Sequence, residues 1–205
     1  MTDRTVLKCL YDQNLMGRKS SVHGNNEYRL NRAKEQLEFH KELLKKPNTE
    51  KSYKDLIIEH ANDFLKKLGM PQVQNPIYKL NEKPIDRDFY KDIKEKYNLV
   101  SVNDIVWMKF TQEGVLGVLG VSNDINFDIP NSTDYDSLDS KGYWRFNTSG
   151  IIVHSVGQQW DEEFVLVFPL KSIPEGYVRG DIECGIGNYL IENDIPILDY
   201  YSHKF

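Results

Sequence analysis

Two short connections constrain this chain more than anything else in it. "TQEG" joins the apolar runs "DIVWMKF" and "VLGVLGV", and "TSG" joins "YWRFN" to "GIIVHSV". Links this short permit only antiparallel neighbours, because parallel strands need a crossover of about a dozen residues or more. With "EFVLVFPL" as a further apolar run, ended by Pro169, the second half of the chain reads as a mainly antiparallel sheet of about five strands.

Before Asn98 the hydrophobic period is helical. In "EYRLNRAKEQLEFHKELLKK", Leu30, Ala33, Leu37, His40 and Leu44 recur at spacings of three and four, and Pro47 ends the pattern. In "SYKDLIIEHANDFLKKLGMP", Ser52 and Asp55 stand at capping-box spacing. Tyr53, Leu56, Ile57, Ala61, Phe64, Leu65 and Leu68 form its apolar stripe, and Lys66, Lys67, Gly69 and Pro71 close it. The two segments read as an N-terminal helical hairpin. A third, shorter helix follows, with Asp86 as its cap and Phe89, Ile93 and Tyr97 on its buried side. The proline-bearing stretch 71–85 between them has no sustained period and reads as a linker. The expected organisation is therefore α+β: a helical region over residues 1–70, a linker over 71–85 and a core domain over 86–205.

"RGDIECGIGNYLIEND", Arg179 to Asp194, combines three glycines, a cysteine and four acids. A phosphate loop would follow a strand directly and present backbone donors unopposed by acids. Here Pro174, Glu175 and Gly176 intervene after the last strand, and Asp181 and Glu183 would repel an anion. Glu183 also opposes a reactive thiolate at Cys184. A C-terminal helix packed on the sheet remains, starting near Asp181, with Ile182, Ile186, Tyr189 and Leu190 buried. Its interior glycines, each costing about 1 kcal/mol relative to alanine, are then explained by close packing at Gly185 and Gly187.

The net charge of −5 conceals a gradient: residues 1–70 sum to +4 and residues 100–205 to −10. No apolar run reaches the roughly 20 residues of a membrane span, which places the chain in the cytoplasm, away from membranes, with Cys9 and Cys184 as free thiols. The basic segment "MGRKSSVHGNN" offers Arg18 and Lys19 as phosphate contacts for nucleic acid, although a pI near 5.6 is low for such a role.

The connection Ser122 to Gly142 is long for a compact domain and carries Asp134, Asp136 and Asp139, the ligand type that Mg2+ or Ca2+ prefers. "GVSNDINFDIPNSTDYDS" resembles the nucleotidyltransferase signature, a Gly-Ser turn followed by an Asp-x-Asp pair. The resemblance implies metal held by Asp134 and Asp136, with Gly120 to Ser122 near phosphate. It spans about a tenth of the chain; Val121 interrupts the Gly-Ser pair, and no later strand supplies the family's third aspartate. His154, near Ser155 and Asp161, is a further candidate base without a nucleophile elbow beside it.

Aromatic residues cluster beside arginine in "KGYWRF" and again in "LDYYSHKF". Tyr, Trp and Arg are the types enriched at interface centres, which makes Tyr143, Trp144, Arg145, Trp160, Tyr200 and Tyr201 the candidate binding residues. The tail ends without trailing polar residues and reads as a docked terminus. With no complete catalytic constellation in the chain, the favoured expectation is a non-enzymatic interaction protein of the inhibitor, immunity or regulatory type, bacterial or phage-like. It would bind a macromolecular partner, a protein, through the acidic, aromatic-rich C-terminal region. The helical part would serve as a second contact surface or form a homodimer. The alternative is a metal-dependent enzyme of nucleotides or nucleic acid, acting through Asp134 and Asp136.

Overall fold

The computed structural model describes residues 26–45, 51–79, 87–101, 103–121, 135–138, 144–146, 152–153, 155–161 and 163–200, with only the backbone described for 26–28, 87, 90, 135–138 and 144–146. These form α1 (Asn26–Lys45), α2 (Tyr53–Lys67), β1 (Ile77–Lys79), α3 (Arg87–Tyr97), β2 (Ile105–Phe110), β3 (Leu116–Val121), β4 (Tyr135–Leu138), β5 (Trp144–Phe146), β6 (Phe164–Pro169) and α4 (Arg179–Glu192). The architecture is α+β. Four strands make an antiparallel sheet in the order β1-β6-β2-β3, and β4 and β5 make a separate two-stranded sheet.

Alternation along the strands divides the core between the two faces of the larger sheet. Val106, Met108 and Phe110 of β2 join Leu166 and Phe168 of β6 on one face. There they meet Ile57, Ala61, Phe64 and Leu65 of α2 and Ile182, Ile186 and Leu190 of α4. On the other face, Ile105, Val165 and Val167 pack under Phe89 and Ile93 of α3. Beside them, Val115, Val118 and Trp160 pack under Ala33 and Leu37 of α1. Trp107 contributes to both of these latter groups. Helices therefore cover both faces, and α1 and α2 meet at the edge-to-face contact of His40 with Tyr53, ring centroids 4.7 Å apart.

The β2–β3 pairing carries a bulge. Lys109 faces Val118 and Phe110 faces Leu116, so Gly117 is the extra residue in β3. Where the bulge disturbs the ladder, the C-terminal segment completes it: Leu198 and Asp199 donate backbone hydrogen bonds to the carbonyls of Leu116 and Gly117, both at 2.9 Å. Ile195 through Tyr200 are all buried, so the tail is docked along this edge.

Three helices stop by the same device. After α2, Gly69 N donates to Lys66 O and Met70 N to Leu65 O, both at 2.9 Å, with Gly69 at φ +72°. Asn98 (φ 52°) follows α3 and Asp194 (φ 59°) follows α4 in the same left-handed position. Leu99 N bonds to Lys94 O and Ile195 N to Leu190 O, each at 2.9 Å. At the other end of α2 the capping box is complete, with Asp55 N bonded to the Ser52 hydroxyl and Ser52 N to the Asp55 carboxylate.

Three local features depart from the sequence reading. Ile152, Val153 and Ser155 are helical rather than a strand, with Val156 N bonded to Ile152 O at 3.2 Å. Ile152 and Val153 pack between α1 and β3, where a turn of helix buries both. β5 pairs instead with β4, which lies inside the stretch read as one long connection. Within the stretch read as a linker, Ile77, Tyr78 and Lys79 form an edge strand against Leu166, Val165 and Phe164.

Candidate functional site

The β4–β5 ribbon gathers part of both candidate sets onto one element. Tyr135 pairs with Phe146 and Leu138 with Trp144, with a shift in register between the two pairs. Asp136 on β4 and Arg145 on β5 fall within the same short window of the ladder. Trp144 lies at the first position of β5. Asp134 and Asp139 flank β4 in the sequence and Tyr143 precedes β5, but all three lie outside the described residues. So do Tyr201, Arg18, Lys19, Cys9 and His154.

Trp160 and Tyr200 lie in the interior. Trp160 is 7% exposed. It pairs with Thr111 in an antiparallel bridge, Gln112 N bonding to Gln159 O and Asp161 N to Phe110 O, both at 2.9 Å. In this non-hydrogen-bonded pair the two side chains lie side by side. The indole fills the space above Gly117, and the Lys109 ammonium sits 4.5 Å from its centroid. Tyr200 is 5% exposed, and its hydroxyl lies 2.9 Å from both Cys184 O and Asn188 Oδ1. One hydroxyl carries a single proton. Rotating the Asn188 amide would let Nδ2, otherwise without a partner, donate to the phenol while the phenol donates to Cys184 O.

Several interior polar residues escaped the sequence reading. Arg29 and Asp199 form a bidentate pair across 170 positions of sequence, Nε to Oδ1 at 2.9 Å and Nη2 to Oδ2 at 2.5 Å. Both side chains are almost fully buried. Lys109, Thr111, Gln158, Glu183 and Asn188 are buried too. The available signal was a charged or amide residue within an apolar run, such as Lys109 in "IVWMKF". His40 is 3% exposed with neither ring nitrogen hydrogen-bonded. Burial pushes its pKa below the usual imidazole range, partly opposed by the backbone and carboxylate of Glu113.

Cys184 is buried, 2% exposed. Among the described residues no three His, Cys, Asp or Glu side chains stand together to hold a metal ion, and no helix is long and apolar enough to cross a membrane. Asp161 is engaged locally, its carboxylate accepting from Glu163 N at 2.7 Å. The described arrangement holds a two-stranded ribbon and a four-stranded sheet whose interior buries several polar side chains. No protein-family model matches the chain, and neither a curated protein nor a solved structure matches it.

Proposed function

We propose that this chain is a non-enzymatic interaction protein of the inhibitor, immunity or regulatory type, which binds a protein partner with a basic surface through the β4–β5 ribbon. The observation that carries the reading is the ribbon itself. It is a two-stranded sheet separate from the four-stranded one, and its seven residues include Asp136, Trp144 and Arg145. The charge of −10 over residues 100–205 supports a basic partner, since complementary potentials steer encounter and suppress wrong pairings.

The test is capture of a stoichiometric partner from the native host by the full chain, followed by the same measurement with Trp144→Ala and Arg145→Ala. Each variant is expected to weaken binding by about tenfold or more, as truncating an interface anchor does, without lowering the melting temperature. Binding that is unaffected by both variants would remove the ribbon from the interface.

A metal-dependent enzyme acting through Asp134 and Asp136 is separated from this reading by calorimetric titration with Mg2+, Mn2+ and Ca2+. Heat that appears in the native chain and disappears in a D134A/D136A double variant would favour the enzyme.

A further inference from the structure

We propose that α1 is an acid-releasable element, which detaches from the sheet as a unit when His40 takes up a proton. Among the described residues, three kinds of contact fasten this helix to the sheet. Leu30, Ala33 and Leu37 supply its apolar contacts with the bulged β3 region, Arg29 grips Asp199 in the first turns, and His40 is the buried contact toward its C-terminal end. Leu44, one turn further, is 64% exposed and anchors nothing.

The His40 ring sits where α1, the start of α2 and the β2–β3 turn converge, edge-to-face against Tyr53. Neither nitrogen meets hydrogen-bond geometry with a partner, and the Glu113 backbone and carboxylate, which favour the protonated ring, offset the cost of its burial only in part. The titratable groups that face it are Tyr53 from α2 and Glu113 from the turn. Tyr53 stays a neutral phenol, its own pKa raised by burial. Its hydroxyl is spent on Pro196 O at 2.5 Å. Glu113 is exposed and compensates only in part. On α1 itself the adjacent Lys41 adds positive charge and is turned to Glu38.

The sign follows from linkage. A histidine whose folded pKa lies below its unfolded value of about 6.5 leaves the docked state with fewer protons than the released one. Docking is at full strength above that pH and weakens as pH falls below it, by up to about tenfold per pH unit for one proton. Detachment would uncover Val115, Val118 and Trp160, which α1 covers.

Amide hydrogen exchange of the full chain, compared at about pH 7.5 and about pH 5.5 after correction for intrinsic rates, tests this. Protection in α1 is expected to drop by about tenfold at the lower pH while α2 and α4 keep theirs. His40→Phe, which retains a ring against Tyr53, is expected to abolish the drop, and His40→Leu serves as a second variant. Unchanged α1 protection at low pH, loss that is equal in all helices, or a drop that persists in the variants would each overturn the proposal. If neither variant folds, the comparison between helices in the native chain decides alone.

Discussion

The ring of Tyr200 occupies the volume that any side chain at Gly187 would need. A Cβ at Gly187 would lie 2.8 Å from Cζ and 2.9 Å from Cδ2 of that ring, and closer still to Cε2. The ring cannot swing away cheaply, because its hydroxyl is bonded at Cys184 O and Asn188 and the tail that carries it is docked along β3. Gly187→Ala should therefore destabilise the fold by about 1–3 kcal/mol through overpacking, even though alanine is the better helix former by about 1 kcal/mol. Gly187→Leu should cost more. Urea unfolding measures both, and a neutral or stabilising Gly187→Ala would mean that the tail yields.

The Arg29–Asp199 pair joins the first described helix to the last described segment, and its cost of disruption is asymmetric. Asp199→Ala leaves a guanidinium in the interior without its carboxylate, and should lose about 3–5 kcal/mol. Arg29→Met with Asp199→Leu removes both charges and should lose clearly less than the two single changes added together. A double-mutant cycle by chemical denaturation checks the coupling. Additive single losses would show that the pair acts only as two independent anchors.

Sequence periodicity revealed the elements whose causes are local. The Ser52–Asp55 box, the α2 stripe and Gly69 each carry their own signal within a few residues, and the structure reproduces all three. The β2–β3 hairpin was legible for the same reason, since its turn chemistry and apolar runs are contiguous. Elements set by distant contacts were not. Ile152 and Val153 have strand-like composition yet form a turn of helix, because packing against α1 and β3 overrides a weak propensity. The bridge of Leu116 to Ile197 and the pairing of β1 with β6 depend on residues about 80 positions away or more. Of the candidate site, residue types were legible in the sequence and their placement was not. Composition singled out six aromatic and arginine residues, but Trp160 and Tyr200 prove to serve the interior, and only backbone pairing brought Asp136 near Arg145.

Asp194 ends α4 in a conformation that suits glycine, at φ 59°, with Ile191 O accepting from its amide at 3.1 Å. Its side chain also places negative charge at the negative end of the helix, near Glu192, whose own pKa is raised by burial. Asp194→Gly removes both the left-handed strain and the unfavourable charge while keeping the closing hydrogen bonds. It should raise stability by roughly 0.5–1 kcal/mol. A thermal melt that is unchanged or lower would show that the Asp194 carboxylate makes a compensating contact.

Trp160 and Trp144 should separate packing from recognition. Trp160 fills the space over Gly117 between α1 and the bulge, and Thr111 and Lys109 lie against it. Trp160→Ala therefore opens a cavity and should cost about 3–5 kcal/mol. Trp144, on the ribbon, is expected to contribute to partner binding and little to folding. The two variants should thus behave oppositely: Trp160→Ala shifts the urea midpoint and, where still folded, keeps its affinity, while Trp144→Ala keeps the midpoint and loses affinity. Measured side by side, the reverse outcome would move the recognition surface from the ribbon to the face that α1 covers.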